Sequence, residues 1–478
     1  MCCWRLASPK TTKAGSLPIE STNAAGSISA RLDRLPATRT IWRLVALLSL
    51  GGFFEFYDLF FTGYIAPGLV RSGILTSSTR GLFGTTGVAS FVAALFLGLF
   101  VGTALFGFVA DRFGRRTIFT FSLLWYSAAS VVMAFQSDVF GLNLWRFLSG
   151  IGVGVELVTI DAYLSELVPK ELRGRAFALN QTIQFSAVPL VALLAWLLVP
   201  RSPFGLDGWR WVVLTGAAGA IVVWRIRRDV PESPRWLAQQ GKLGEAQAIV
   251  AELETRVAME SGFVLAHPAQ AEEPAPRGNF AEIWKPPYRQ LTLMLIVFNV
   301  FQIVGYYGFS SWVPTFLIRR GISVVNSLEY TFLIAIAAPL GPLLAYRLAD
   351  RFERKWQIVA AASAVSVFGI LFGQMTLAPL LIVLGILLTM SNNILSFSFH
   401  AYQAELYPTR IRALAIGFVY SWSRLSGVFS AFAIAFFLDR FGVPGVFTFI
   451  AGCMAMVVLS IALLGPRTSR LALETISK

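Results

Sequence analysis

The chain has 478 residues, of which 56% are hydrophobic and 14% charged, against the roughly 25% charged that soluble proteins carry. That composition excludes a disordered chain, a coiled coil and a disulfide-stapled secreted module. A net charge of +14 would suggest nucleic acid in a soluble protein, but here a membrane explanation comes first.

In chain order, a polar segment 1–40 precedes the first apolar run and contains no secretory signal. Its Cys2 and Cys3 read as part of an unstructured tail or as a lipidation site. With Cys453 in the last run they form no disulfide framework. Twelve apolar runs follow, near 41–67, 83–110, 117–136, 141–168, 176–199, 210–226, 290–316, 328–349, 356–373, 379–404, 414–437 and 445–464. Each is about 20 residues or more, enough to cross the hydrocarbon of a bilayer as a helix. The expectation is an all-α polytopic membrane protein. Residues 41–226 and 290–464 form two six-helix bundles. Between them lies a loop, 227–289, with an amphipathic helix around 242–258 and a Pro/Ala/Glu-rich stretch, and 465–478 is a terminal tail.

With the N-terminus inside and the runs alternating, 31 of the 40 Lys and Arg fall in inner segments and seven in outer loops. Arg146 and Arg424 lie within runs. This bias predicts a multi-pass protein of the plasma (cytoplasmic, inner) membrane with both termini cytoplasmic. The basic residues are scattered among short loops, so no nucleic-acid surface is expected.

The halves share a repeat at one offset. Asp111-Arg112-Phe113-Gly114-Arg115-Arg116 returns 239 residues later as Asp350-Arg351-Phe352-Glu353-Arg354-Lys355. Ala162-Tyr163, Glu166-Leu167, Pro169 and Arg173 return at the same offset as Ala401-Tyr402, Glu405-Leu406, Pro408 and Arg412. Two duplicated halves related by an axis along the membrane normal place a substrate site between them, near the midplane. In each short inner loop the Asp can cap the next helix, and the Arg residues can meet helix ends and carboxylates across the half-to-half interface. Asp111, Arg112, Arg115, Arg116, Glu166 and Arg173, with Asp350, Arg351, Arg354, Glu405 and Arg412, are therefore candidates for a cytoplasmic gate. The alternative is a positive-inside anchor with no gating role.

These motifs resemble the major facilitator superfamily. Gly107-x3-Asp111-Arg112-x-Gly114-Arg115-Arg116 is similar to its signature loop, and Arg146-x3-Gly150-x-Gly152-x-Gly154 to its fourth-helix motif. Pro231-Glu232-Ser233-Pro234-Arg235-Trp236-Leu237 and Glu405-Leu406-Tyr407-Pro408-Thr409-Arg410-Ile411-Arg412-Ala413 resemble segments of sugar porters and their metabolite-transporting relatives. The seventh run, Phe301-Gln302-Ile303-Val304-Gly305-Tyr306-Tyr307-Gly308 and then Trp312-Val313-Pro314, departs from the sugar-porter pattern toward niacin-type, aromatic-acid-type and synaptic-vesicle-type relatives. The terminal Pro-Glu-Thr-Lys-Gly of sugar porters is degraded to Pro466-Arg467-Thr468-Ser469. A sugar substrate is not expected.

An ionisable residue at the centre of a spanning helix costs about 2.5–3.5 kcal/mol on insertion scales, so each one needs an explanation. Leu50-Gly51-Gly52 and Tyr57-Asp58 resemble the first-helix segment of proton-coupled sugar porters, which implies that Asp58 is the protonation site and Arg146 its partner. A rocking motion that alters their separation alters the proton affinity of the carboxyl; the alternative is a static pair that fixes packing. Glu55, on the same helical face as Asp58, either shares the proton or lines the cytoplasmic approach. Glu156 resembles a Glu of the niacin-type branch and lies about 15 Å along the helix from Arg146. Asp161 has His400 as its repeat mate. Arg424, in Ser421-Trp422-Ser423-Arg424, offers a fork suited to a carboxylate, or else an interdomain salt bridge to Glu55 or Glu156. Gln302, Tyr306, Tyr307, Trp312 and Trp422, with Phe53, Phe54, Tyr57 and Phe301, are candidates to line a cavity for a planar ligand. Gly150 and Gly154 form a small-xxx-small face for close helix approach and are not a nucleotide fingerprint.

The sequence has no metal-ligand spacing, nucleophile triad or P-loop, so neither an enzyme nor a cofactor is expected. The expected function is proton-coupled symport of a small organic acid or related metabolite by alternating access, with the bilayer, protons and a small molecule as partners and a monomer as the working unit. The alternatives are proton-driven efflux of a drug-like compound and a non-transporting membrane solute sensor.

Overall fold

Apolar runs in lipid can satisfy their backbone only internally, as helices or closed barrels. The computed structural model describes residues 27–76, 79, 87–106, 112–226, 230–262, 265–267, 279–348 and 352–468, and among them the chain is helix joined by turns, with no strand. Ten helices are long and apolar enough to cross a membrane, and one of these, Leu414–Leu464, has the length of two.

In chain order the spans are Arg39–Tyr64, Gly87–Phe106, Arg115–Ala134, Val139–Leu167, the pair Arg173–Phe185 and Ala187–Leu198, and Gly208–Ile226. The second half has Tyr288–Ser310, the pair Val324–Ala335 and Leu340–Leu348, Arg354–Gln374, Ala378–Glu405 and the double-length Thr409–Leu464. That last helix breaks at Gly442, whose φ of 66° and ψ of −168° no side-chain-bearing residue adopts without strain, and Pro444 follows. The break makes the eleventh and twelfth spans. The fifth span is interrupted at Ser186, three residues before Pro189, whose ring lacks the N–H a continuous helix would use.

The second and fourth spans cross at glycines on both sides. A Cβ on Gly98 would lie 2.8 Å from Gly150 Cα and 2.3 Å from Phe147 O, and one on Gly102 would lie 2.2 Å from Ile151 O. The small-residue face predicted for the fourth span therefore has a matching face on the second.

The halves meet across the end opposite the linker. Trp196 stacks on Phe332 with centroids 5.8 Å apart, and a Cβ on Gly63 would fall 2.1 Å from Ser311 O. At the linker end Asp161, on the fourth span, is exposed although Arg424 of the other half lies within electrostatic range.

One element departs from the sequence expectation. Residues 27–33 of the polar N-terminal segment are helical and dock on the linker helix Leu243–Ser261. Ile28, Leu32 and Leu35 are buried with Ala246, Val250, Leu253 and Val257. Full burial of such aliphatic side chains contributes about 1.5–3 kcal/mol each, and Arg31 and Arg34 add ion pairs to Glu254, each at 2.6 Å. The charges at 31, 33 and 34 make the segment look like tail; its apolar residues at helical spacing give it a buried face.

Candidate functional site

Asp58 and Arg146 meet in the middle of the first half. Arg146 Nη1 donates to Asp58 Oδ2 at 2.7 Å, while Nη2 donates to Asp58 O at 2.7 Å and to Thr62 Oγ1 at 2.6 Å. Ser130 Oγ donates to Asp58 Oδ1 at 2.8 Å, and Ser149 Oγ stands 3.3 Å from Oδ2. Phe61 lies under the guanidinium, 4.5 Å from its centroid. Arg146 is 0% exposed and Asp58 4%. Burying an ion pair repays its desolvation only when geometry is good and the remaining lone pairs are satisfied, and here both carboxylate oxygens are.

One turn toward the linker, Glu55 is fully buried, and neither of its carboxylate oxygens has a hydrogen-bond partner among the described residues. Glu156, Asp161, Asp58 and Arg424 all act on it electrostatically. Glu156 is fully buried beside the first span, and a Cβ on Gly51 would stand 3.3 Å from its Oε1.

Arg424 faces this acidic group from the other half. It is 2% exposed, donates from Nη2 to Tyr420 Oη at 3.1 Å and lies near Tyr307. Its guanidinium carbon stands 4.9 Å from the Tyr420 ring centroid. Among the described residues its buried Nε and Nη1 have no hydrogen-bond partner, and no ion pair joins Arg424 to a carboxylate. His400, 5.5 Å from the Tyr420 ring, completes the surroundings.

Beyond the Tyr306–Tyr307 pair, whose rings sit edge to face at 4.9 Å, a narrow chamber of about 30 Å³ lies between the halves. Phe60, Phe185, Tyr306 and Phe309 form its walls, and Asn392 and Asn393 of the tenth span supply its polar side.

At the linker end the two repeats make matching contacts, all at the offset of 239 except that the carbonyls accepting from the two tyrosines are 235 apart. Arg115 pairs with Glu166 at 3.0 Å, and Arg354 pairs with Glu405. Arg173 Nε donates to Val168 O at 3.4 Å, and Arg412 Nε to Tyr407 O at 3.1 Å. Tyr163 Oη donates to Pro231 O, and Tyr402 Oη to Pro466 O at 2.8 Å. One position breaks the match. Gly114, at φ 98°, lies against Glu232, whose Oε1 accepts from Arg115 N at 3.0 Å, Arg116 N at 3.1 Å and Ser233 N at 2.9 Å. In the second half the mate of Gly114 is Glu353, whose Oε1 accepts from Thr468 N at 2.9 Å. The carboxylate has moved to the other chain segment while keeping an N–H of the Ser/Thr after the span.

The profile described as "Sugar (and other) transporter" matches residues 44–478, nearly the whole chain. The chain belongs to this transporter family. YyaJ of Bacillus subtilis (strain 168), named as a metabolite transport protein, is 32% identical over 452 residues, covering 94% of this chain and 98% of its own. The niacin transporter NiaP of Acinetobacter baylyi is 29% identical, covering 94% and 99%. Among solved structures, the xylose transporter XylE from E. coli, partially occluded and inward open, superposes with a TM-score of 0.71 at 20% identity, covering 90% of this chain and 99% of that one. A second XylE structure, titled as a major facilitator superfamily proton:xylose symporter, gives 0.67. The protein is thus a multi-pass membrane transporter of the major facilitator fold, with twelve spans in two six-helix bundles, and not an enzyme.

Within this transporter some sequence expectations need correction. The linker-end ion pairs Arg115–Glu166 and Arg354–Glu405 each lie within one half, so they do not bridge the interface. The first N–H groups of the third span go to Glu232. Arg112 and Arg116 are exposed, and Arg173 stands 3.8 Å from Asp33 of the N-terminal segment. Asp111, Asp350 and Arg351 lie outside the described residues, as do Cys2 and Cys3. Trp422 packs edge-on against Phe418, itself against Phe280 and Trp284, and does not line the chamber. Trp312 stacks on Phe316, and Gln302 is buried one turn before Tyr306; neither lines the chamber. Arg424 makes no salt bridge to Glu55 or Glu156. Sequence reasoning missed Tyr420, Phe60, Phe185 and Asn392. Tyr420 had a signal: it precedes Arg424 by one helical turn.

Proposed function

We propose that this transporter is a proton-coupled symporter of a small organic acid or related metabolite, working by alternating access in the inner (plasma) membrane with both termini cytoplasmic. The observation that carries the reading is the division of charge between the halves. Asp58 is paired and fully hydrogen-bonded within the first half, whereas Arg424 of the second half holds two buried N–H groups without a partner and faces carboxylates at a distance. A substrate carboxylate can accept from these donors of Arg424 in a charge-assisted hydrogen bond. Its arrival neutralises the charge that otherwise balances Glu55 and Asp161, so a proton on this acidic group and an anion on Arg424 favour one another electrostatically. Asp58 exchanges its proton when a movement of the first span against the fourth, within the first half, withdraws Arg146. Kinship to a protein named as a niacin transporter supports the same substrate class.

Uptake into proteoliposomes over a panel of carboxylates, with and without an inward-acid pH gradient, tests the proposal. Accumulation of at least one carboxylate only with the gradient is expected. Uptake of neutral solutes alone, or uptake indifferent to the gradient, counts against it.

A further inference from the structure

The Asp58–Arg146 pair lies wholly within the first half, so a movement of one half against the other reaches it only through an intermediary. The last turn of the first span holds such a residue. Arg146 Nη2 donates to Asp58 O at 2.7 Å and to Thr62 Oγ1 at 2.6 Å, while Nη1 reaches the Asp58 carboxylate. Thr62 is 1% exposed, and the Phe61 ring lies under the guanidinium. Arg146 Nε is buried without a partner among the described residues, so Nη1 and Nη2 carry the grip on the span.

The next residue faces the other half. A Cβ on Gly63 would fall 2.1 Å from Ser311 O and 2.7 Å from Ser311 Cα, so the two backbones touch with no room for a side chain. Ser311 ends the seventh span, and this contact, with the Trp196–Phe332 stack, closes the end opposite the linker. The grip on Arg146 and the closed end therefore fall on adjacent residues.

The turn that carries both is built to bend. Pro67 has no N–H to give the Gly63 carbonyl four residues back. The first span stops at Tyr64, and a separate short helix, Ala66–Arg71, begins two residues later. A helix bends where proline removes such a bond. Ser311 stands against this bend as a backstop, which is withdrawn when the halves part.

We infer that Thr62 is a positioning residue that ties the proton on Asp58 to the contact between the halves. Closure of Gly63 on Ser311 sets the turn so that Thr62 and Asp58 O hold Nη2 and aim Nη1 at the carboxylate. Opening at this end relaxes the turn and takes Thr62 from Nη2. The guanidinium then swings about its bond to Asp58 O and leaves Oδ2. A carboxylate that loses its cation binds a proton more tightly. Asp58 thus loads its proton when the end opposite the linker is open and releases it when that end closes, the order that symport needs. Glu55 and Tyr57 of the same span also interact electrostatically with Asp58, and Ser130 and Ser149 of the third and fourth spans stand at its carboxylate. None of these four lies on the turn that Ser311 backs.

The inference rests on the proton-coupled reading above. Infrared titration of the full chain in liposomes tests it without a substrate, the Asp58 signal being the protonated-carboxyl band that Asp58→Asn removes. Thr62→Val keeps the shape and removes the acceptor. It is expected to raise the pH midpoint of that band, with the proton bound about ten-fold more tightly, the scale of one hydrogen bond to a charged group. Thr62→Ser is expected to keep the wild-type midpoint, and Thr62→Ala reads the same change as valine should the valine variant fail to fold. Trp196→Ala loosens the closed end from another span. It is expected to raise the midpoint in the wild-type background and to add nothing in Thr62→Val, because the two act through one chain of contacts. An unchanged midpoint in a folded Thr62→Val or Thr62→Ala, or a Thr62→Ser midpoint that moves with them, overturns the role of Thr62 and leaves the symport reading standing. A Trp196→Ala shift absent from the wild-type background, or present in both, does the same. Absence of any titrating band that Asp58→Asn removes overturns this inference together with the assignment of Asp58 as the coupling site.

Discussion

Arg146 holds Asp58 at two points, the carboxylate through Nη1 and the backbone carbonyl through Nη2, each at 2.7 Å. The second contact does not depend on the charge of the carboxyl. Asp58 can therefore lose its negative charge without releasing Arg146 from the first span, and the exchange of a proton need not dismantle the fold.

Substitution Asp58→Asn keeps the shape and the backbone contact but cannot exchange a proton. In proteoliposomes it is expected to abolish pH-driven accumulation while retaining substrate exchange at equal pH. Unaltered accumulation would sink the assignment of Asp58. Arg146→Ala behaves differently, because it leaves Asp58 buried without its counterion, a loss of about 3–5 kcal/mol for a broken buried pair. Less folded protein in the membrane is the expected result, read by size-exclusion chromatography.

Arg424 gives a sharper test of substrate charge. Its Nε and Nη1, on different edges of the guanidinium and without a partner among the described residues, are donors that an incoming carboxylate can meet. Arg424→Lys keeps the charge but not the fork, and Arg424→Ala removes both. Carboxylate affinity is expected to fall in both, further in the alanine variant, by about 1.5–3 kcal/mol for a hydrogen bond to a charged group. Equal affinity in all three proteins, measured by binding titration, removes Arg424 from the site.

How much of this was legible in the sequence depends on the range of the cause. Asp58 and Arg146 stand out because a charge in an apolar run is costly, and the linker-end pairs stand out because the repeat doubles each of them. The aromatic chamber did not stand out. Phe60, Phe185 and Asn392 sit on three spans, and nothing local tells a residue facing a cavity from one facing lipid; Trp422 and Trp312 were misplaced for the same reason. The docked N-terminal segment was hidden by its charges, since only the linker helix shows which residues they meet. Glu232 was visible as a motif, but its acceptor role at the third span required knowing that residues 117 positions apart meet.

The displaced carboxylate at the linker end makes a prediction by exchange. Glu353 stands where the first half has Gly114, and Arg467 where it has Glu232. Glu353→Gly leaves Thr468 N without its acceptor and is expected to cost about 1–3 kcal/mol. Adding Arg467→Glu returns a carboxylate to the position used in the first half and is expected to recover part of that loss in thermal unfolding of the detergent-solubilised protein. No recovery in the double variant would show that the two sites are not interchangeable.

The crossing of the second and fourth spans should tolerate no side chain. Gly98→Ala places a methyl 2.3 Å from a backbone oxygen and 2.8 Å from Gly150 Cα, and backbone cannot step aside as a flexible side chain does. Overpacking of this kind typically costs about 1–3 kcal/mol. Gly417→Ala is the control, because its Cβ would meet nothing within 4 Å. Melting temperatures in detergent should fall for the first and hold for the second.

The docking of the N-terminal segment should weaken in acid. Burial alone would raise the pKa of Glu254, but hydrogen bonds from Arg31 and Arg34, together with their charges, outweigh it and hold the carboxyl below its ordinary value. A group whose pKa is depressed in the docked state favours docking above its undocked pKa, about 4.3 for Glu, and that contribution is lost as the pH falls through the docked value. Hydrogen exchange of residues 27–38 is therefore expected to match between pH 8 and pH 6, after correction for intrinsic rates, and to accelerate below about pH 4. Glu254→Gln removes the charge at every pH. It should raise exchange at neutral pH and shrink the acid-induced increase, leaving only the part due to other carboxylates such as Glu260, which accepts from Thr40. An acid response of undiminished size in Glu254→Gln would assign the effect to those groups instead.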